Sequence, residues 1–147
     1  MTIEQLYQIA NDRGIQIYDF PMSELRAVSL CGGHIAIDRR KIESDAEYKC
    51  VLAHEIGHCE TNTFYTFDAP MKDKDLCEYH ANRFAAQLLV PLSELRKAMH
   101  KGILFANILA RMFNVTVEFA ELALELFEPE LISAVRTRPH TQRIGGY

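Results

Sequence analysis

Several things are scarce or missing in this chain, and each absence narrows its class. The 147 residues hold only four cysteines, Cys31, Cys50, Cys59 and Cys77, and no CxxC pair. That spacing makes neither a zinc ribbon nor a disulfide framework, so all four are read as reduced packing cysteines. No apolar run approaches the roughly 20 residues that a membrane-spanning helix needs. The first residues, MTIEQLYQIANDRG, carry acids in an amphipathic pattern rather than a basic stretch followed by an apolar one. A cytoplasmic protein is therefore expected. There is no excess of positive charge either: the formal net charge is −4, which gives no global reason to bind nucleic acid or an anionic membrane. Internal repeats and low-complexity tracts are also missing.

What remains is an ordinary globular mixture, 48% hydrophobic and 24% charged, able to bury a core. Its length suits one compact domain, or a small domain with a helical annex. Residues 3–13 have helical spacing that ends at Gly14. IQIYDF alternates like a strand and stops at Pro21. AVSL, the Cys-Gly-Gly turn and HIAID read as a hairpin. Ser44 and Asp45 are N-cap candidates for the next helix. Residues 62–72 read as a loop. A helix then starts near Asp73 or Asp75 and runs to Val90, where Pro91 stops it. A short helix from Ser93 to Gly102 follows, then helical segments over 103–113 and about 116–127, before Pro129. Strands early and helices afterwards predict an α+β fold with a small, mostly antiparallel sheet.

The most informative stretch is VLAHEIGHCET, residues 51–61. On a helix, residues i and i+4 share a face, so His54 and His58 can offer two imidazoles to one ion. Glu55, one step round, can reach a water bound there. HExxH is the signature of a catalytic zinc site, in which three protein ligands leave a position for water and a carboxylate serves as the base. Gly57, without a side chain, lets another segment approach closely. A surface helix with two solvated histidines would show the same five residues, so the test is a third ligand downstream.

CEYHANRFAAQLLVP, residues 77–91, supplies one. Glu78, Ala81, Asn82, Ala85 and Leu88 fall on one helix face. Glu78 is the candidate third ligand, and Asn82 can hydrogen-bond a ligating histidine. Ala81 and Ala85 are small enough for close helix packing. His80 is a rival ligand, but it lies about 200° round the helix from Glu78. HEIGH followed twenty residues later by Glu-x-x-Ala-Asn-x-Phe-Ala-Ala-x-Leu-Leu-x-Pro resembles the ImmA/IrrE family of zinc metallopeptidases. The resemblance covers about residues 27–91. It implies a zincin-like core with one Zn2+ held by His54, His58 and Glu78, and Glu55 as the catalytic base. It also implies that the substrate is a helix-turn-helix transcriptional repressor of a phage, mobile element or stress-response system. Tyr65, His80 and His34 are candidates for stabilising an oxyanion. By analogy with zincins, HIAID is the expected free strand edge for a substrate backbone.

LARMFNVTVEFAELALELF, residues 109–127, has a helix-turn-helix-like outline, with Asn114, Val115 and Thr116 at the turn. Its second helix, however, carries Glu118, Glu121, Glu125 and Glu128 in one stripe, and no lysine or arginine occurs from Met112 to Val135. Such a helix would be repelled by phosphates, so no direct nucleic-acid binding is expected. The stripe reads as a solvated face or as a dock for a basic repressor. The expected division is a zincin-like peptidase domain over 1–98, a C-terminal helical segment over 99–135, and a mobile tail over 136–147. Two alternatives to the peptidase stay open: a non-proteolytic, metal-containing partner-binding module, and a DNA-binding regulator using the C-terminal helices.

Overall fold

The computed structural model describes residues 1–136. Helix α1, Ile3–Asp12, opens on a capping box: Thr2 Oγ1 accepts from the Gln5 amide, and the Gln5 side chain accepts from the Thr2 amide. Such a cap contributes about 1 kcal/mol. Strands β1 (Gln16–Asp19), β2 (Ala27–Leu30) and β3 (His34–Ile37) follow. The rest is helical: α2 (Asp45–Thr61), α3 (Met71–Leu89), α4 (Leu92–His100), α5 (Ala106–Phe113) and α6 (Val117–Arg136). This is the α+β class.

The three strands lie in the order β1-β3-β2. β2 and β3 form the hairpin that the Cys-Gly-Gly turn predicts, with Gly32 and Gly33 at positive φ. β1 pairs with β3 in parallel. The sheet is therefore mixed, with only its hairpin half antiparallel. The expected free edge also moves. β3 is the central strand, paired on both sides, so HIAID offers no free edge; the edge strands are β1 and β2. The Asp38 amide donates to the Arg26 carbonyl at 2.8 Å. Two-residue alternation then turns the N–H and C=O groups of Ala27 and Ser29 away from β3, along the open side.

The inner sheet face packs on α2. That helix is buried nearly all round, from Tyr48 to His58, because the sheet, α1 and α3 all lean on it. A helix so enclosed needs no polar face. Ser44 caps it, accepting from the Glu47 amide at 3.1 Å. One hydrophobic cluster runs from Leu6 and Ile35 through Leu52 and Ile56 to Phe119 and Phe127. The C-terminal helices thus share their core with the sheet. α5 and α6 are joined through Asn114, in the left-handed conformation at φ 50. α6 does not stop at Pro129, as expected, but runs through it to Arg136. Proline removes one helical hydrogen bond. Burial of Phe127 and Leu131 on either side offsets that loss, and Arg83 on α3 reaches across to Glu130 and to the Leu126 carbonyl. Of the expected tail, Arg136 ends α6 and residues 137–147 lie outside the described residues. Among the described residues, no helix is long and apolar enough to cross a membrane.

Asp38 fastens the end of β3. Its carboxylate is fully buried and accepts from the Arg40 side chain at 2.8 and 2.9 Å and from the Met22 amide at 2.9 Å. The Arg40 side chain, then the Met22 amide, hold this carboxyl well below its ordinary value of 3.8. A carboxyl depressed on folding stabilises above its unfolded value and loses that contribution as pH falls below it. Asp38→Asn is therefore expected to lower the melting temperature at pH 7. The gap to wild type should narrow once pH drops below 3.8, as followed by thermal melts across the acid range.

Candidate metal centre

The site forms where α2 and α3 touch. A Cβ on Gly57 would sit 2.6 Å from the Ala81 carbonyl oxygen and 3.0 Å from the Ala81 Cα. Only glycine permits this approach. Ala81 and Ala85 are fully buried on the facing side. Around this contact the three metal-ligating candidates converge: His54 and His58 on either side of Gly57 in α2, and Glu78 about one turn before Ala81 in α3. Atoms of His54, His58 and Glu78 lie within 4.8 Å of one another, the sole such group among the described residues. The two Nε2 atoms are 3.1 Å apart. His54 Nε2 and His58 Nε2 each lie 3.2 Å from a Glu78 carboxylate oxygen.

The outer nitrogens fix the rings. His54 Nδ1 is 2.8 Å from Asn82 Oδ1, the partner that the sequence suggested. His58 Nδ1 is 2.8 Å from the Thr63 carbonyl. Asn62, in the left-handed conformation at φ 52, turns the chain back at the end of α2 and brings that carbonyl in. A carbonyl can only accept, so His58 Nδ1 must donate; an Asn oxygen requires the same of His54. When the rings are neutral, both Nε2 lone pairs then face each other across 3.1 Å with no proton between them. Lone pairs so placed repel unless a cation sits among them. Tetrahedral zinc, with bonds of about 2.0–2.1 Å, would space its ligand atoms about 3.3 Å apart, close to the separations seen. The donor set fits a metal ion.

Hydrogen bonds from His54 and then His58 hold the Glu78 carboxyl well below its usual range. Burial works against charge on His58, but Glu78, the Thr63 carbonyl and Glu55 together outweigh it and raise its value. Tyr65 donates to Glu78 Oε1 at 2.8 Å and is pushed up to about 12, by that carboxylate first and burial second.

Glu55 is buried at 7% exposure on the same helix. With His54 and Glu78 it lines a cleft of about 1080 Å³ that also takes in Asn82, residues 24–27, Val51, Phe119 and Leu122. Of the oxyanion candidates, only Tyr65 joins the cluster. His34 lies against Tyr18, with ring centroids 6.0 Å apart, and exposed His80 lies against Tyr79. His80 is outside the group that could hold a metal ion. Sequence reasoning missed Thr63, which acts through a backbone atom, and Ser29, whose hydroxyl contacts Glu55. A polar residue on the inward face of β2 was the available signal for Ser29.

Against protein-family models, residues 10–125 match Peptidase M78, the IrrE N-terminal-like domain. The chain belongs to that family. Comparison with curated proteins gave no match, and comparison with solved structures gave none either. Membership makes this M78 chain a peptidase of the metallopeptidase type, and the match extends through α5 into α6.

Metal retention separates the residues. Glu78→Ala is expected to lose bound metal and His80→Ala to keep it. Asn82→Ala should weaken metal affinity by about 10–100-fold, the usual cost of losing a partner behind a ligand. Competition with a chelator of known affinity reads all three.

Proposed function

We propose that this chain is a zinc-dependent endopeptidase that cleaves one specific protein, a helix-turn-helix transcriptional repressor. The observation that carries the reading is the facing pair of Nε2 atoms with Glu78 beside them, at a cleft that His54, Glu78 and the Glu55 base candidate all line. His54, His58 and Glu78 would hold the ion. Bound zinc supplies a Lewis acid and a water acidified to a pKa of about 7.

The protein's own groups do the rest. Asn82 and the Thr63 carbonyl keep the two imidazoles aimed inward. Glu55 takes a proton from the attacking water at a carboxylate oxygen and returns it to the amine that leaves as the peptide bond breaks. The open edge of β2 supports the substrate as an added strand, since residues 25–27 line the cleft.

The charge of the cleft supports a basic substrate. Its lining includes Glu24, Glu43, Glu47, Glu55, Glu78 and Glu118 against a single arginine, Arg26, which is paired with Glu47 at 2.6 Å. A concave acidic surface raises the local concentration of cationic partners. Proteins that bind DNA carry such cationic surfaces. Glu118 stands at the cleft end of the acidic α6 stripe, while Glu125 and Glu128 line a separate groove beside α4.

Zinc-loaded protein mixed with candidate repressors, with fragments followed by mass spectrometry, tests this. Glu55→Gln should keep its metal and lose cleavage by a factor of about 10²–10⁴. Glu118→Lys should slow cleavage mainly by weakening binding. A Glu55→Gln protein that keeps its full effect on the repressor would point instead to the non-proteolytic partner-binding module.

A further inference from the structure

The edge strand does more than border the cleft. In AVSL, Ser29 pairs with Ile35 and shares the inward face with Ala27, against α2. Ser29 is half-buried there, and a hydroxyl drawn out of water costs free energy unless it is hydrogen-bonded. Ser29 Oγ lies 2.9 Å from the Glu55 main-chain carbonyl and is also hydrogen-bonded to Glu55 Oε2. The hydroxyl has one proton. The carbonyl sits inside α2, where the helix already supplies a donor from the amide four residues on. The carboxylate is the charged acceptor, and charge-assisted bonds are about twice as strong. The proton therefore goes to Oε2.

We infer that Ser29 is a positioning residue for the general base: it holds Glu55 Oε2 and leaves Oε1 as the oxygen that accepts the proton of the attacking water. The inference rests on the metallopeptidase reading above. The backbone of Ser29 belongs to the open edge of β2. One residue thus ties the base to the strand on which an extended substrate would lie, so that base and scissile bond are set by the same rigid element. A shift of about 1 Å in such a group can cost around 10²-fold in rate.

The test needs no known substrate. Acetohydroxamic acid binds a zinc peptidase site as its anion and passes its proton to the base carboxylate, so its affinity reports where that carboxylate points. Wild type, Ser29→Ala, Ser29→Thr and Glu55→Gln are loaded with zinc. Each is titrated calorimetrically with acetohydroxamic acid, with metal affinity and melting temperature measured alongside. The expected result is a loss of about 10-fold in hydroxamate affinity for Ser29→Ala, with unchanged zinc affinity and melting temperature, and near-complete recovery in Ser29→Thr. Equal hydroxamate affinity in wild type and Ser29→Ala overturns the role of Ser29 while leaving the peptidase reading intact. Loss of zinc or of thermal stability in Ser29→Ala, unrescued by threonine, also overturns it, because the serine would then be a packing residue. A folded wild type that takes up no zinc or hydroxamate overturns the peptidase reading, and the role of Ser29 falls with it.

Discussion

The contact between the Gly57 and Ala81 backbones sets the distance between α2 and α3. At that spacing the Ala81 carbonyl stands where any side chain on Gly57 would be. Everything in the centre depends on it. Glu78 precedes Ala81, and His54 precedes Gly57, by nearly one helical turn, and His58 follows Gly57 directly, so closing the helices at the glycine closes the three donors around one point. A wider crossing would leave two histidines on one helix and a carboxylate on another. Fully buried Ala81 and Ala85 extend the close contact along α3.

Once the helices are fixed, the remaining freedom is rotation of rings and carboxylates, and separate elements remove it. Asn82 on α3 sets His54, and the reversed turn at Asn62 delivers the Thr63 carbonyl to His58. Ser29 on the sheet edge and Tyr65 in the following loop reach Glu55 and Glu78. The sheet edge and α3 thus contribute one restraint each, and the loop between α2 and α3 contributes two. The packing of the sheet, α1 and α3 on α2 is what brings these partners within reach of a helix that carries charged and ionisable groups.

Much of this was legible beforehand, for identifiable reasons. The i, i+4 spacing of His54 and His58 and the small-residue face of α3 are local patterns, and local geometry brings them together. Asn82 could be found because it lies one turn from Glu78. Strand order could not be read in the same way. The hairpin is local, but the parallel pairing of β1 with β3 is a long-range choice, and it is what made β3 central and left β2 at an edge. Pro129 misled because a local helix breaker was overridden by burial of Phe127 and Leu131. The Thr63 carbonyl carries no residue-type signal at all. Ser29 did carry one, a polar side chain at an inward position of an otherwise apolar strand, which gains its meaning only once α2 is seen beneath it.

The measurement that bears most directly on the account is zinc binding by the folded wild-type protein beside Gly57→Ala, with stoichiometry and affinity from calorimetric titration and folding checked by circular dichroism. The account predicts one zinc per wild-type chain and an affinity at least about 10-fold weaker in the variant, since adding a methyl group there forces the helices apart. Failure of the folded wild-type chain to bind zinc, or equal affinity in the two proteins, would contradict it.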